Sequence, residues 1–185
     1  MKKICVILFM AMAVLLTSCS MGMSKRSFML TDYTAVANEC FEELIAAIQN
    51  QDNKGVQSLF SDKTLRETQN IEGAICELFD YYQGELVSYD DWGGANLSGE
   101  MNSDGTGRYR TALYSTYDIE TTKDKYRFAM EFISMDTAGE DNVGIRSLYI
   151  IRLEDDTDPQ YAYRGDGKDT PRININKKNS ISSGA

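Results

Sequence analysis

Apolar residues recur along this chain first at helical and then at strand spacing, and the period changes near Gly84. Tyr33, Val36, Ala37, Cys40, Phe41, Leu44, Ile45, Ala47 and Ile48 form one wide stripe with Glu39, Glu42 and Glu43 opposite, which predicts a helix from about Tyr33 to Gln51. Thr31 or Asp32 can cap it. A short helix follows near Lys54 to Phe60, Ser61 or Asp62 offers a cap before Thr64 to Thr68, and Asn70 caps a third full helix from Ile71 to Tyr82. Gly84 is a stop, because glycine enters the left-handed region without steric cost.

Beyond Gly84 four strands are predicted: Glu85 to Trp92, Arg108 to Ile119, Lys125 to Met135 and Val143 to Leu153. In the third, Tyr126, Phe128, Met130 and Phe132 share a face; in the fourth, strict alternation puts Val143, Ile145, Tyr149, Ile151 and Leu153 together. Residues 93–107 read as a polar, glycine-rich loop, and 155–185 as a polar, flexible tail in which Tyr161 to Tyr163 could dock. Helices first and strands last give an α+β domain over residues 32–154: three N-terminal helices on a curved four-stranded antiparallel sheet.

The first residues belong to another kind of segment. Lys2 and Lys3 precede an uncharged apolar run from Ile4 to Leu16, too short for a spanning helix of ~20 residues. Leu16-Thr17-Ser18-Cys19 then resembles the bacterial lipobox. Charged start, apolar core and small-residue cleavage site predict a signal peptide over residues 1–18. Cys19 is then the lipid-attachment site, with residues 19–31 as a tether, and the expected location is the extracytoplasmic face of a bacterial membrane.

Charge and composition narrow the chemistry. The net charge is −9, and losing Lys2 and Lys3 with the leader takes it to −11, so nucleic acid is not an expected partner. The chain has no histidine, which excludes Ser-His-Asp and Cys-His catalysis and histidine-ligated zinc. No catalytic set, cofactor motif or metal-ligand spacing is read. Glu100, Asn102, Asp104 and Gly105 echo the start of a calcium loop, but Thr111 stands where a bidentate glutamate is needed. Arg164-Gly165-Asp166 is read as ordinary loop chemistry, and Cys40 and Cys76 are a candidate disulfide.

Leu59-Phe60-Ser61, Leu78-Phe79 with Gly84, Ser88-Tyr89, Tyr126, and Gly144-Ile145 with Leu148 resemble an uncharacterised family of lipoproteins from Gram-positive bacteria. The resemblance covers about Tyr33 to Leu153 and implies a nuclear-transport-factor-2-like, or cystatin-like, cone with no established activity. Such a cone implies a pocket between sheet and helices, with Tyr89, Asp90, Trp92, Tyr109, Tyr117, Tyr126 and Phe128 as candidate lining. Asp90 or Asp91 beside Trp92 would be the acid–base candidate of an enzyme, though superfamily enzymes usually use a histidine or an Asp/Tyr pair. Analogy with the cone also suggests a homodimer through the sheet's outer face, with Tyr114, Ile133, Leu148 and Ile150 exposed there. A membrane-tethered binding module for a small molecule, peptide or envelope protein ranks first, a structural or immunity-type lipoprotein second, and an enzyme third.

Overall fold

Four capped helices come first. In the computed structural model, which describes residues 31–101, 107–156 and 170–176, they are α1 (Tyr33–Gln49), α2 (Asn53–Leu59), α3 (Asp62–Glu67) and α4 (Ile71–Tyr81). Asp32, Asp52, Ser61 and Asn70 each accept a hydrogen bond from an orphan backbone N–H of the helix they precede. The segment after Ser61 forms a helix of its own, so there are four helical segments rather than three. Signal peptide, Cys19 and nearly all of the tether lie outside the described residues. Among the described residues no helix is long and apolar enough to cross a membrane.

The sheet has six strands, not four: β1 (Leu86–Asp90), β2 (Asn96–Met101), β3 (Tyr109–Thr121), β4 (Lys125–Asp136), β5 (Gly144–Arg152) and β6 (Arg172–Asn176). Their order is β1-β3-β4-β5-β6, with β2 also on β3, and all pairs but β5–β6 are antiparallel. The two added strands come from the stretches read as loop and tail. β2 is a polar edge strand, which needs no apolar face to pair. β6 alternates Arg172-Ile173-Asn174-Ile175-Asn176 and turns its two isoleucines to the core.

One face of the sheet carries Tyr117, Ile119, Tyr126, Phe128, Met130, Ile145, Leu148 and Ile150, all packed with the helices in one core cluster. Strict alternation along β5 fails at a bulge. Glu131 pairs with Ser147 but Phe132 pairs with Ile145, leaving Arg146 as the extra residue. Beyond it the faces exchange: Leu148 and Ile150 go into the core, and Tyr149 and Ile151 go to the opposite face. Leu148 and Ile150 are therefore not outer-face residues. On the other face Ile133 does pair with Ala112 and Tyr114 with Glu131, but Ile133 is buried.

The motif residues meet at the join of helices and sheet. Phe60, between α2 and α3, forms an isolated bridge with Ile145, and Ser61 N–H donates to Ile145 O at 3.0 Å. Gly144 makes that approach possible. Its φ is +125°, and a Cβ there would stand 2.6 Å from Ser61 N. Gly144→Ala should therefore lower unfolding stability by about 2 kcal/mol or more, read as a shift in urea midpoint. Gly93→Ala, also at positive φ but with no atom within 4 Å of the new Cβ, should cost about half as much. Equal effects would contradict the close approach.

Candidate binding surface at the β1–β2 loop

The aromatic pocket expected between sheet and helices is filled. Tyr117, Tyr126 and Phe128 have no solvent exposure. Phe41 of α1 stacks on Tyr117 at 3.8 Å between ring centroids and an interplanar angle of 8°, and meets Phe128 and Tyr89 edge-on. Such aromatic contacts add about 0.5–1.5 kcal/mol each beyond area burial. Tyr126 is tied as well as packed: its hydroxyl donates to Tyr81 O at 3.0 Å and accepts from Gln83 N–H at 2.8 Å. Burial raises the phenol pKa of both Tyr117 and Tyr126. These three residues are core rather than ligand lining.

The other four candidates are elsewhere. Tyr89 sits at the rim on β1 and donates to Glu42 Oε1 of α1 at 2.6 Å; that hydrogen bond, with burial and the Glu42 charge, pushes its pKa up to about 12. Tyr109 is half-buried at the start of β3, beside Gly99 of β2. Asp90 is exposed and spends Oδ1 on Trp92 N–H at 2.9 Å. Trp92, the chain's single tryptophan, is 52% exposed.

The turn that carries Trp92 is fixed from several sides. Trp92, Gly93 and Gly94 all have positive φ, at 55°, 84° and 104°. For tryptophan this left-handed conformation costs about 1–3 kcal/mol and persists only where the surroundings over-determine it. Asp91 supplies much of the determination. It accepts from Gly93 N–H at 3.1 Å through Oδ1 and from Asn38 Nδ2 at 3.0 Å through Oδ2. Asn38 Oδ1 in turn accepts from the buried Tyr117 hydroxyl at 3.1 Å. Thr34 of α1 accepts from Ala95 N–H at 3.3 Å, and a side chain at Gly94 would strike it. Asp91 is thus a positioning residue for the turn.

The indole is held on the far side of the sheet. Arg127 of β4 lies over the ring, its guanidinium carbon 4.6 Å from the centroid. The same guanidinium forks onto its cross-strand neighbour Asp118 at 2.7 and 2.9 Å and also reaches Asp156. Burial works to raise the Asp118 pKa, but hydrogen bonds from Arg127 and from the Trp92 side chain outweigh it and hold the carboxyl below its usual value. Since tryptophan has only its indole N–H to give, that edge of the ring points at Asp118. Nothing in the sequence pattern joins Trp92 to Arg127 and Asp118. Only the pairing of β3 with β4 does.

A cavity of about 180 Å³ opens at the other end of the sheet, lined by Lys63, Thr64, Arg110, Asp136, Asn142 and Arg146 among others. Its two arginines are already engaged by Glu131, whose side chain is 1% exposed and accepts from Arg110 at 2.6 Å and Arg146 at 2.7 Å. Asp136 and Glu67 share the lining, so no excess of positive charge is left for an anion. Among the described residues no group of three or more acidic or cysteine side chains is placed to hold a metal.

Residues 43–153 match the family described as a domain of unknown function (DUF5104). This chain belongs to that family. No curated protein matches it. The matched span runs from within α1 to the residue after β5 and contains the Trp92 turn, Arg127 and Asp118, while β6 and Asp156 lie beyond it.

The candidate disulfide is not formed. Cys40 is buried in the core cluster and Cys76 is exposed on α4, both as free thiols. Burial, with Glu43 and Glu39 nearby, pushes Cys40 up to about 12. Iodoacetamide at mildly alkaline pH should therefore label Cys76 and spare Cys40 until the protein is unfolded, as read by peptide mass mapping. Protection of both thiols, released by a reductant alone, would contradict this arrangement.

Proposed function

We propose that this chain is a lipid-anchored, extracytoplasmic binding module built on a nuclear-transport-factor-2-like cone, and that it binds through the Trp92 turn rather than inside the cone. The observation that carries this reading is a half-exposed tryptophan kept in a strained turn and clamped by Arg127 and Asp118. The Arg127 contact and the Asp118 hydrogen bond hold the ring in place with half of it left in solvent. A ring fixed in this way loses little conformational entropy on binding.

Anchoring rests on Lys2-Lys3, the apolar run to Leu16, and Leu16-Thr17-Ser18-Cys19. The cone reading is supported by four helices laid on one face of a bulged, mostly antiparallel sheet. Cys19→Ala expressed in a bacterium with lipoprotein processing should abolish incorporation of labelled palmitate and move the protein from the membrane fraction to the soluble or secreted one. Membrane association and labelling that persist in Cys19→Ala would overturn the anchoring claim.

A further inference from the structure

Three of the four large apolar side chains most exposed among the described residues fall on one edge of the sheet. Val87 of β1 is 61% exposed, Trp92 of the turn 52% and Leu97 of β2 48%. β1 and β2 lie end to end along the same side of β3, whose other side is taken by β4, and among the described strands they pair with β3 alone. Their outer side is therefore a strand edge with backbone N–H and C=O groups to offer. Neither strand carries the lysine or proline that commonly blunts such an edge. From Glu120, the partner of Ser88, to Leu113, the partner of Leu97, β3 rises about 24 Å. That is the span of an extended segment of protein chain and more than a small molecule covers.

Charge on this edge is one-sided. Asp90 pairs directly with Asp118, and Asp118 directly with Arg127, so two carboxylates and one guanidinium stand in a single row. Opposed carboxylates repel. Arg127 spends its guanidinium on Asp118 and Asp156, and among the described residues the exposed Asp90 has no basic partner. Asp91 adds a further carboxylate on the helix side of the turn. A lysine or arginine arriving here meets an excess of negative charge. Its aliphatic stem can lie on the exposed half of the indole while its head reaches Asp90. Tryptophan and arginine, the pair already present, are both enriched at the energetic centres of protein interfaces.

We propose, resting on the binding-module reading, that the β1–β2 edge docks an extended, basic segment of a partner protein. The segment adds as a strand against β2 and follows the edge to the turn. Lysines or arginines at alternate positions face the side of the Asp90–Asp118 row, and the one nearest the turn covers Trp92. Apolar residues between them pack on the helix side against Leu97, which pairs with the buried Leu113. The breaks at Val87 and at residues 91–95 keep each half of the edge short, which suits a single segment rather than a second sheet. Asp91, Asn38 and Tyr117 hold the turn to the core, so the surface is formed before the partner arrives.

A library of random nonapeptides lacking cysteine and tryptophan is selected against the lipidated protein in a zwitterionic detergent and read by sequencing. Selected peptides should be enriched severalfold in lysine and arginine over the input, with those residues at alternate positions. Once synthesised, they should saturably shift the emission of Trp92, the chain's single tryptophan. By calorimetry, Trp92→Ala should weaken their binding by about tenfold or more. Asp90→Asn, whose amide oxygen can keep the hydrogen bond to Trp92 N–H, should weaken it about threefold. Raising the salt from about 50 mM to about 500 mM should weaken it about tenfold, and a central proline in the peptide should abolish it. Circular dichroism melts of both variants check that the fold survives.

Peptides recovered without basic enrichment, or none recovered at all, overturn the inference. So does affinity unchanged in either folded variant. Methylguanidinium binding as tightly as the peptides would make this a small-cation site, and a dimer lost in Trp92→Ala would make it an interface with a second copy; both contradict a partner segment. Any of these removes the basic segment alone. The binding-module reading falls as well only if photoreactive benzoylphenylalanine introduced at residue 92 also captures nothing on intact cells.

Discussion

The stack of Phe41 on Tyr117 is the contact on which the rest of this domain depends. It seats α1 against β3 and removes the space in which a cone-shaped domain would hold a ligand. It also sets the position of Asn38, one turn earlier on the same helix face, which joins the Tyr117 hydroxyl to Asp91. Interior packing and the outer turn are thus two ends of one connection. Truncating Phe41 would cost about 3–5 kcal/mol by cavity formation, and the loss would reach beyond the core.

Much of the fold was legible because its signals are local. The helix stripes, the caps at Asp32, Ser61 and Asn70, and the alternation of Tyr126, Phe128, Met130 and Phe132 follow from spacing and from hydrogen bonds within a few residues. What could not be read depends on pairing. A bulge at Arg146 exchanges the two faces of β5, and the exchange is visible only against the partner strand. β2 escaped because an edge strand can be polar. β6 escaped because a polar stretch drew attention from Ile173 and Ile175, although the period-two alternation was there to be read.

The candidate site divides the same way. An aromatic-rich sheet was evident, but residue type does not tell a ligand-facing tyrosine from a packed one. Tyr117 and Tyr126 became core because α1 and α4 bring Phe41, Tyr81 and Tyr82 onto them. Trp92 was legible as a candidate aromatic at a strand end, but its place in an exposed turn outside the core was not. Its partners were not, because Arg127 and Asp118 reach it only through strand pairing. The buried Glu131 with its two arginines was missed for a related reason: a charged residue inside an alternating strand reads as solvent-facing until the sheet shows it covered.

Whether the Trp92 turn is held as rigidly as its hydrogen bonds imply decides between a formed site and an ordinary surface loop. Time-resolved fluorescence anisotropy of the single tryptophan measures this directly, because loop motion on the nanosecond scale depolarises emission before the molecule tumbles. The account requires decay dominated by the overall tumbling time, with a fast component appearing in Asn38→Ala, where the link from Tyr117 to Asp91 is cut. A dominant fast component in the unaltered protein would contradict it.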